Sequence, residues 1–200
     1  MTPFAKKGVW LGILVGITAF GAVVFFRKHP ADTGRYSRYD TAFIQAAFEY
    51  PPDWKLTEDR GTVQKYKQVL ILGPRNAEKT FSAAFTVIVS PVKAKGGLFN
   101  GVEELKTQNL AHLFENPRVL EVSDKRIGGV PAQDITTAFE RPPFRKSGMP
   151  RKAVLVKERM VLFQKDADLF EIRYSADQQE YPKYLNSFEH LLASLELKSA

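Results

Sequence analysis

Cysteine is absent from this 200-residue chain, histidine and methionine occur three times each, and tryptophan only twice. Without thiols there is no disulfide framework and no cysteine metal cluster. A cysteine-free composition is compatible with an oxidising compartment but does not require one. The histidines, His29, His112 and His190, are scattered along the chain, whereas a zinc-type site needs three or four converging ligands. His112 and His190 each have a nearby acid, Glu115 and Glu189, which is ordinary surface composition. The sequence holds no H-E-x-x-H motif and no serine in a G-x-S-x-G context, so zincin and Ser-His chemistry are poor fits. Gly73, Gly96-Gly97 and Gly128-Gly129 do not lead into a helix carrying Lys-Ser or Lys-Thr. They read as turns needing positive φ rather than as phosphate cradles. No catalytic residue, cofactor site or metal site is therefore assigned, and the expectation is a protein that is not an enzyme. Carboxylates are plentiful, and a close buried pair among them is the one hydrolase-type possibility that a sequence cannot address.

Excess charge is also scarcer than the total of +7 suggests. The first 30 residues carry Lys6, Lys7, Arg27 and Lys28 and no acid, so the remainder holds 25 basic residues against 22 acidic ones. A surplus of three over such a surface is no electrostatic footprint for nucleic acid.

What is present is a long uncharged run. Residues 9–26 (VWLGILVGITAFGAVVFF) contain no charge and lie between Lys6-Lys7 and Arg27-Lys28-His29. As a helix this run reaches about 27 Å, close to the hydrocarbon thickness of a bilayer. It lacks the polar stripe of a helix in a soluble core. A cleaved signal peptide is the competing reading, with Ala19, Gly21 and Ala22 near a small-x-small site. However, the apolar run continues through Val23-Val24-Phe25-Phe26, which fits an uncleaved signal anchor. The chain is thus divided into an N-terminal tail (1–8), a transmembrane signal anchor (9–26), a juxtamembrane linker (27–42) and one globular domain (43–200). Basic residues on the two sides of the anchor nearly balance. Because short N-terminal anchors commonly export the domain attached to them, this one is expected outside the cytoplasm, periplasmic or lumenal, in a single-pass membrane protein.

Strand signals dominate the domain. Residues 43–50 read as an opening strand stopped by Pro51-Pro52, which remove two backbone donors. Residues 66–72 contain Val69-Leu70-Ile71-Leu72, and residues 81–89 alternate through Phe81, Ala83, Phe85, Val87 and Val89. The period changes at 101–115, where Val102, Leu105, Leu110, Leu113 and Phe114 share a helical face ended by Asn116-Pro117. Strands resume at Val119, Leu120 and Val122, turn at Gly128-Gly129, and alternate again through Ile135, Thr137 and Phe139. Residues 153–164 and 169–176 form a hairpin joined at Lys165-Asp166-Ala167-Asp168. The clearest helix is 180–195, with a stripe of Tyr181, Tyr184, Leu185, Phe188, Leu191, Leu192 and Leu195. Runs of strands with two helices and no strand-helix-strand alternation predict an α+β class with a mainly antiparallel β-sheet flanked by helices.

One loop stands out. Residues 141–152 concentrate Arg141, Arg145, Lys146, Arg151 and Lys152 around Phe144 and Met149 without an acid. The bland explanation is a solvated hairpin loop. The functional one is a partner-binding element, with cations steering toward anionic headgroups or an acidic protein and Phe144 or Met149 adding an apolar contact.

With these residues in view, the domain resembles the PsbP-like family, the extrinsic protein of the photosystem II oxygen-evolving complex and its bacterial relatives. The resemblance rests on Phe48-Glu49-Tyr50-Pro51-Pro52-Asp53-Trp54 and on Ile127-Gly128-Gly129-Val130-Pro131-Ala132. It extends to the final hairpin, with Phe170-Glu171-Ile172-Arg173-Tyr174-Ser175-Ala176, and a helix bearing Tyr184 and Phe188. It spans residues 43–197. It implies an α/β/α sandwich and a non-enzymatic accessory role on the extracytoplasmic face of a membrane complex. The photosynthetic member lacks a membrane helix at this place, and no functional residue is carried over from it. The expected function is that of a membrane-anchored accessory or assembly protein, whose partners are lipid, through the N-terminal helix, and a membrane-protein complex. The alternative is a lipid or small-molecule binding domain of the cell envelope, with a pocket between sheet and helix lined by some of the fifteen Phe and seven Tyr, although core packing accounts for those aromatics more simply.

Overall fold

The computed structural model describes residues 36–59, 66–75, 81–111, 118–141 and 154–198. Among these residues ten strands form two antiparallel sheets, joined by two α-helices. In chain order they are β1 (Ser37–Thr41), β2 (Ala46–Tyr50), β3 (Lys55–Asp59), β4 (Lys67–Leu72), β5 (Ala83–Pro91), α1 (Val102–Ala111), β6 (Arg118–Ile127), β7 (Val130–Arg141), β8 (Val154–Lys165), β9 (Asp168–Asp177), α2 (Tyr181–Ala193) and β10 (Glu196–Leu197). A seven-stranded sheet runs β3-β4-β5-β9-β8-β7-β6, and a small sheet runs β1-β2-β10.

The predicted class holds: the sheets are antiparallel and flanked by helices. Period-2 alternation gives the large sheet two buried faces. On one face, Phe85, Val87, Val161, Phe163, Ile172 and Tyr174 pack with Phe188, Leu191 and Leu192 of α2. On the other, Ile135, Met160, Leu162 and Leu169 meet Leu105 of α1 and Phe99. The first core is much the larger, and its rings touch directly: Phe85 and Phe188 centroids lie 5.5 Å apart, and those of Tyr174 and Phe188 5.4 Å.

Several local expectations are revised. Strand β1 starts at Ser37, inside the stretch read as linker, and pairs with β2 from Ser37↔Tyr50 to Thr41↔Ala46. The opening strand is correspondingly shorter, because residues 42–45 form a turn with Gln45 at φ 53. Strand β3 had no apolar alternation to announce it, since its sequence is Lys-Leu-Thr-Glu-Asp at a sheet edge. Gly96, Gly128 and Gly129 do adopt positive φ. Gly73 and Gly97 are needed for room instead: a Cβ at Gly73 would meet the Ala83 carbonyl oxygen and the Trp54 ring at 3.0 Å, and one at Gly97 would overlap the Pro91 carbonyl.

Among the described residues no helix is long and apolar enough to cross a membrane. The predicted anchor, 9–26, lies outside those residues, as do Leu113 and Phe114 of the expected first helix.

Candidate functional site

The sheet carries an ionic cluster on each face, and the two are built differently: the one under α2 is partly open to solvent, the other is buried. On the α2 face, Asp134 of β7 accepts two hydrogen bonds from Arg159 of β8, Nε to Oδ1 at 2.8 Å and Nη2 to Oδ2 at 2.6 Å. Arg159 Nη1 also donates to Glu189 of α2 at 2.5 Å. Lys125 of β6 completes the group, 3.5 Å from Asp134 and 3.3 Å from Glu189. Two cations meet two anions, and the hydrogen bonds that Arg159 donates to Asp134 hold its guanidinium well above the ordinary value. Glu189 is held low: burial works against its charge, but Arg159 and Lys125 outweigh it. Such a network is saturated and fastens α2 to the sheet.

On the α1 face the balance fails. Arg173 of β9 lies between two carboxylates, donating from Nε to Glu171 and standing 3.7 Å from Glu158 of β8 through Nη1. Its Nη2 donates to Asn109 Oδ1 of α1 at 3.0 Å. Glu158 and Glu171 are 6% and 5% exposed, so two carboxyl groups share one guanidinium away from water. Among the described residues, Glu158 Oε1, Asn109 Nδ2 and Thr137 Oγ1 have no hydrogen-bond partner. Thr137 is directly opposite Glu158 across the β7–β8 pair and is fully buried. Burial pushes the Glu158 carboxyl up; Arg173 pulls it down by less, and Glu171 adds to the rise.

This is the close pair of buried acids that the sequence could not show, with the Arg173 guanidinium set between them. Among the described residues no group of three or more His, Asp or Glu side chains is placed to hold a metal. A signal for the cluster existed: Glu158 is in phase with Val156, Met160 and Leu162, and Glu171 and Arg173 with Leu169. Charged residues at buried positions of a strand are the anomaly worth following.

The third feature is the outer edge. Strand β6 ends the large sheet, pairs only with β7 among the described residues, and is exposed along most of its length. Val119, Leu120 and Val122 are 48%, 53% and 55% exposed. The register shifts between Val119 and Glu121, a bulge of the kind that re-aims an edge. Between this edge and α1 runs an open groove of about 690 Å³, lined by Val102, Glu103, Lys125, Gln133 and Leu162 among others.

Of the predicted partner-binding residues, Arg141 is the one within the described structure. Its Nη2 donates to Asp177 Oδ1 of β9 at 3.2 Å, which turns it back onto the sheet. Phe144, Arg145, Lys146, Met149, Arg151 and Lys152 lie outside the described residues. His190 contacts Glu49 of β2, Nε2 to Oε2 at 2.6 Å, and stacks on Tyr36 at 3.8 Å. Its sequence neighbour Glu189 points elsewhere, to Arg159. The other two histidines lie outside the described residues.

A seven-stranded antiparallel sheet between two helices, closed by a C-terminal helix over an aromatic core, defines a PsbP-like α+β fold. The cyanobacterial PsbP (CyanoP) of Synechocystis sp. PCC 6803 superposes with a TM-score of 0.56 at 12% identity, covering 86% of this chain and 98% of that one. LpqN of Mycobacterium tuberculosis, described as involved in cell envelope biogenesis, gives 0.51 at 15% identity, covering 86% and 88%. The Pseudomonas aeruginosa protein PA94, of unknown function, gives 0.50 at 12% identity, covering 84% and 100%. No protein-family model and no curated protein matches the sequence. At these identities the likeness establishes the fold and leaves the task to be argued from the chain's own features.

Proposed function

We propose that this protein is a membrane-anchored, non-enzymatic accessory or assembly factor whose domain binds a membrane-protein complex on the extracytoplasmic side. The observation that carries this reading is strand β6: ten residues of outer sheet edge with Val119, Leu120 and Val122 in solvent. Among the described residues the outer edge of β6 has no partner strand, and such an edge, with Val119, Leu120 and Val122 exposed among charged neighbours, is a template for an added strand. Anchoring by residues 9–26 would hold that edge near its partner and make weak contacts sufficient. CyanoP is a cyanobacterial PsbP and LpqN is involved in cell envelope biogenesis, settings in which such a role is at home.

The alternative, an apolar ligand between sheet and helix, finds less support. The aromatics expected to line such a pocket are in ring contact with one another, as Trp54 is with Phe85 at 4.5 Å and with Tyr184 at 5.3 Å.

The test is a photo-crosslinking amino acid at Leu120 in the full chain expressed in its own membranes. A discrete adduct with one membrane protein, abolished by Val119→Lys with Val122→Lys, is the expected result. Recovery of the chain in the soluble fraction, or irradiation yielding lipid adducts alone, overturns the reading.

A further inference from the structure

We propose that Glu158 is a proton-binding site, and that loss of its proton releases helix α1 from the sheet. The arrangement around it supplies the physical reason. Among the described residues, the charged groups facing this carboxyl are Arg173 and Glu171 on β9 and, at longer range, Arg141 on β7. Arg141 is already engaged with Asp177. The single cation of α1, Lys106, is turned to Glu103 at 2.5 Å. One guanidinium therefore serves two buried carboxylates, and its direct hydrogen bond goes to Glu171. Among the described residues Glu158 Oε1 has no hydrogen bond, nor has the hydroxyl of Thr137, directly across the strand pair, nor the Nδ2 of Asn109.

With Glu158 neutral, one positive and one negative charge remain, and Arg173 Nη2 stays free to hold Asn109 of α1. With Glu158 ionised, a net negative charge is buried whose one guanidinium stands 3.7 Å away and is already bonded to Glu171, whereas interiors sustain a buried charge only when it is paired and hydrogen-bonded. Relief comes from a second claim on Arg173, and a turn of the guanidinium toward Glu158 weakens its bond to Asn109, which ties α1 to this cluster. The helix is poorly placed to resist, since Leu105 is its only fully buried residue, whereas α2 buries Tyr181, Phe188, Leu191 and Leu192. Elements with few buried contacts are those that open locally. Protection of α1 is accordingly complete at acid pH and falls as pH rises through the raised titration of Glu158.

The experiment is hydrogen exchange of the full 200-residue chain in detergent micelles between about pH 5 and pH 8, corrected for intrinsic rates, comparing peptides over 102–111 with those over 181–193. In the wild type, protection of α1 relative to α2 should fall at least about ten-fold. In Glu158→Gln, which keeps the shape of the neutral acid, it should stay constant and match the wild type at the acid end. A flat wild-type ratio, or an equal fall in Glu158→Gln, overturns the proposal. Should that variant not fold, carbon NMR of the wild-type glutamate carboxyls decides. Titration of Glu158 near the ordinary value of about 4.3 overturns it, and titration well above that value supports it.

Discussion

The two faces of the large sheet differ in how they use their polar groups. On the α2 face, Lys125, Asp134, Arg159 and Glu189 balance in charge and bond one another, alongside a core built on Phe85, Tyr174 and Phe188. On the α1 face, Glu158, Glu171 and Arg173 do not balance, three polar atoms there lack partners among the described residues, and the core is a small group around Met160 and Leu162. The lesson is that one sheet can carry a fixed side and an adjustable side. Saturated ionic networks specify a single packing, whereas a half-satisfied one stores a dependence on conditions.

The largest test of this contrast is core truncation. Phe188→Ala should cost about 3–5 kcal/mol in urea unfolding, as fully buried aromatics do. Leu105→Ala should fall near the low end of its class, about 2 kcal/mol, because α1 can settle or lift. Equal costs would erase the distinction. Next come the ionic clusters: Arg159→Ala strips Asp134 of its two best donors and should destabilise by about 3 kcal/mol, whereas Glu158→Gln should raise the melting temperature at alkaline pH.

The pH signs separate the faces further. Glu189 titrates low in the folded state, so its contribution is present above the unfolded value of about 4.3 and disappears as pH falls through the folded one. Half-exposed and screened by salt, it should contribute little. Glu158 titrates high, so its contribution is complete below that unfolded value and disappears as pH rises through the folded one. Melting curves from acid to alkaline pH for wild type, Glu189→Gln and Glu158→Gln should show each variant flattening a different limb. One limb flattened by both variants would break the comparison.

The smallest stability effects are expected at the surface. Val119→Lys with Val122→Lys should change unfolding by no more than about 0.5 kcal/mol. Replacing Arg145, Lys146, Arg151 and Lys152 by Ser should likewise leave the melting temperature unchanged while weakening retention on partner-bearing membranes. Undiminished retention removes the basic loop from the docking role.

Much of the scaffold was legible beforehand because it rests on local periodicity. The stripe of α2, the alternation of β5 and the β8–β9 hairpin all arise from residue spacing. Strands β1, β3 and β10 were not legible: they are short or polar and exist because a neighbouring strand or helix completes them. Helix α1 was legible in its period: Leu105 is buried and Val102 and Leu110 pack beside it, while Leu113 and Phe114 lie outside the described residues. The polar cluster lay furthest out of reach. Arg173 is diagonal to Glu158 because Glu158 pairs with Ser175, and Asn109 joins them because α1 crosses above. No spacing along a single strand encodes either fact.

By itself the sequence determined the alternation that buries two faces of a sheet, the amphipathic closing helix and an uncharged run long enough for a bilayer, all being sums over near neighbours. Only the tertiary structure decided which charges meet, which of them are left short of partners and which edge stays open. Those outcomes depend on register and helix placement, where a shift of one residue carries a side chain to the opposite face.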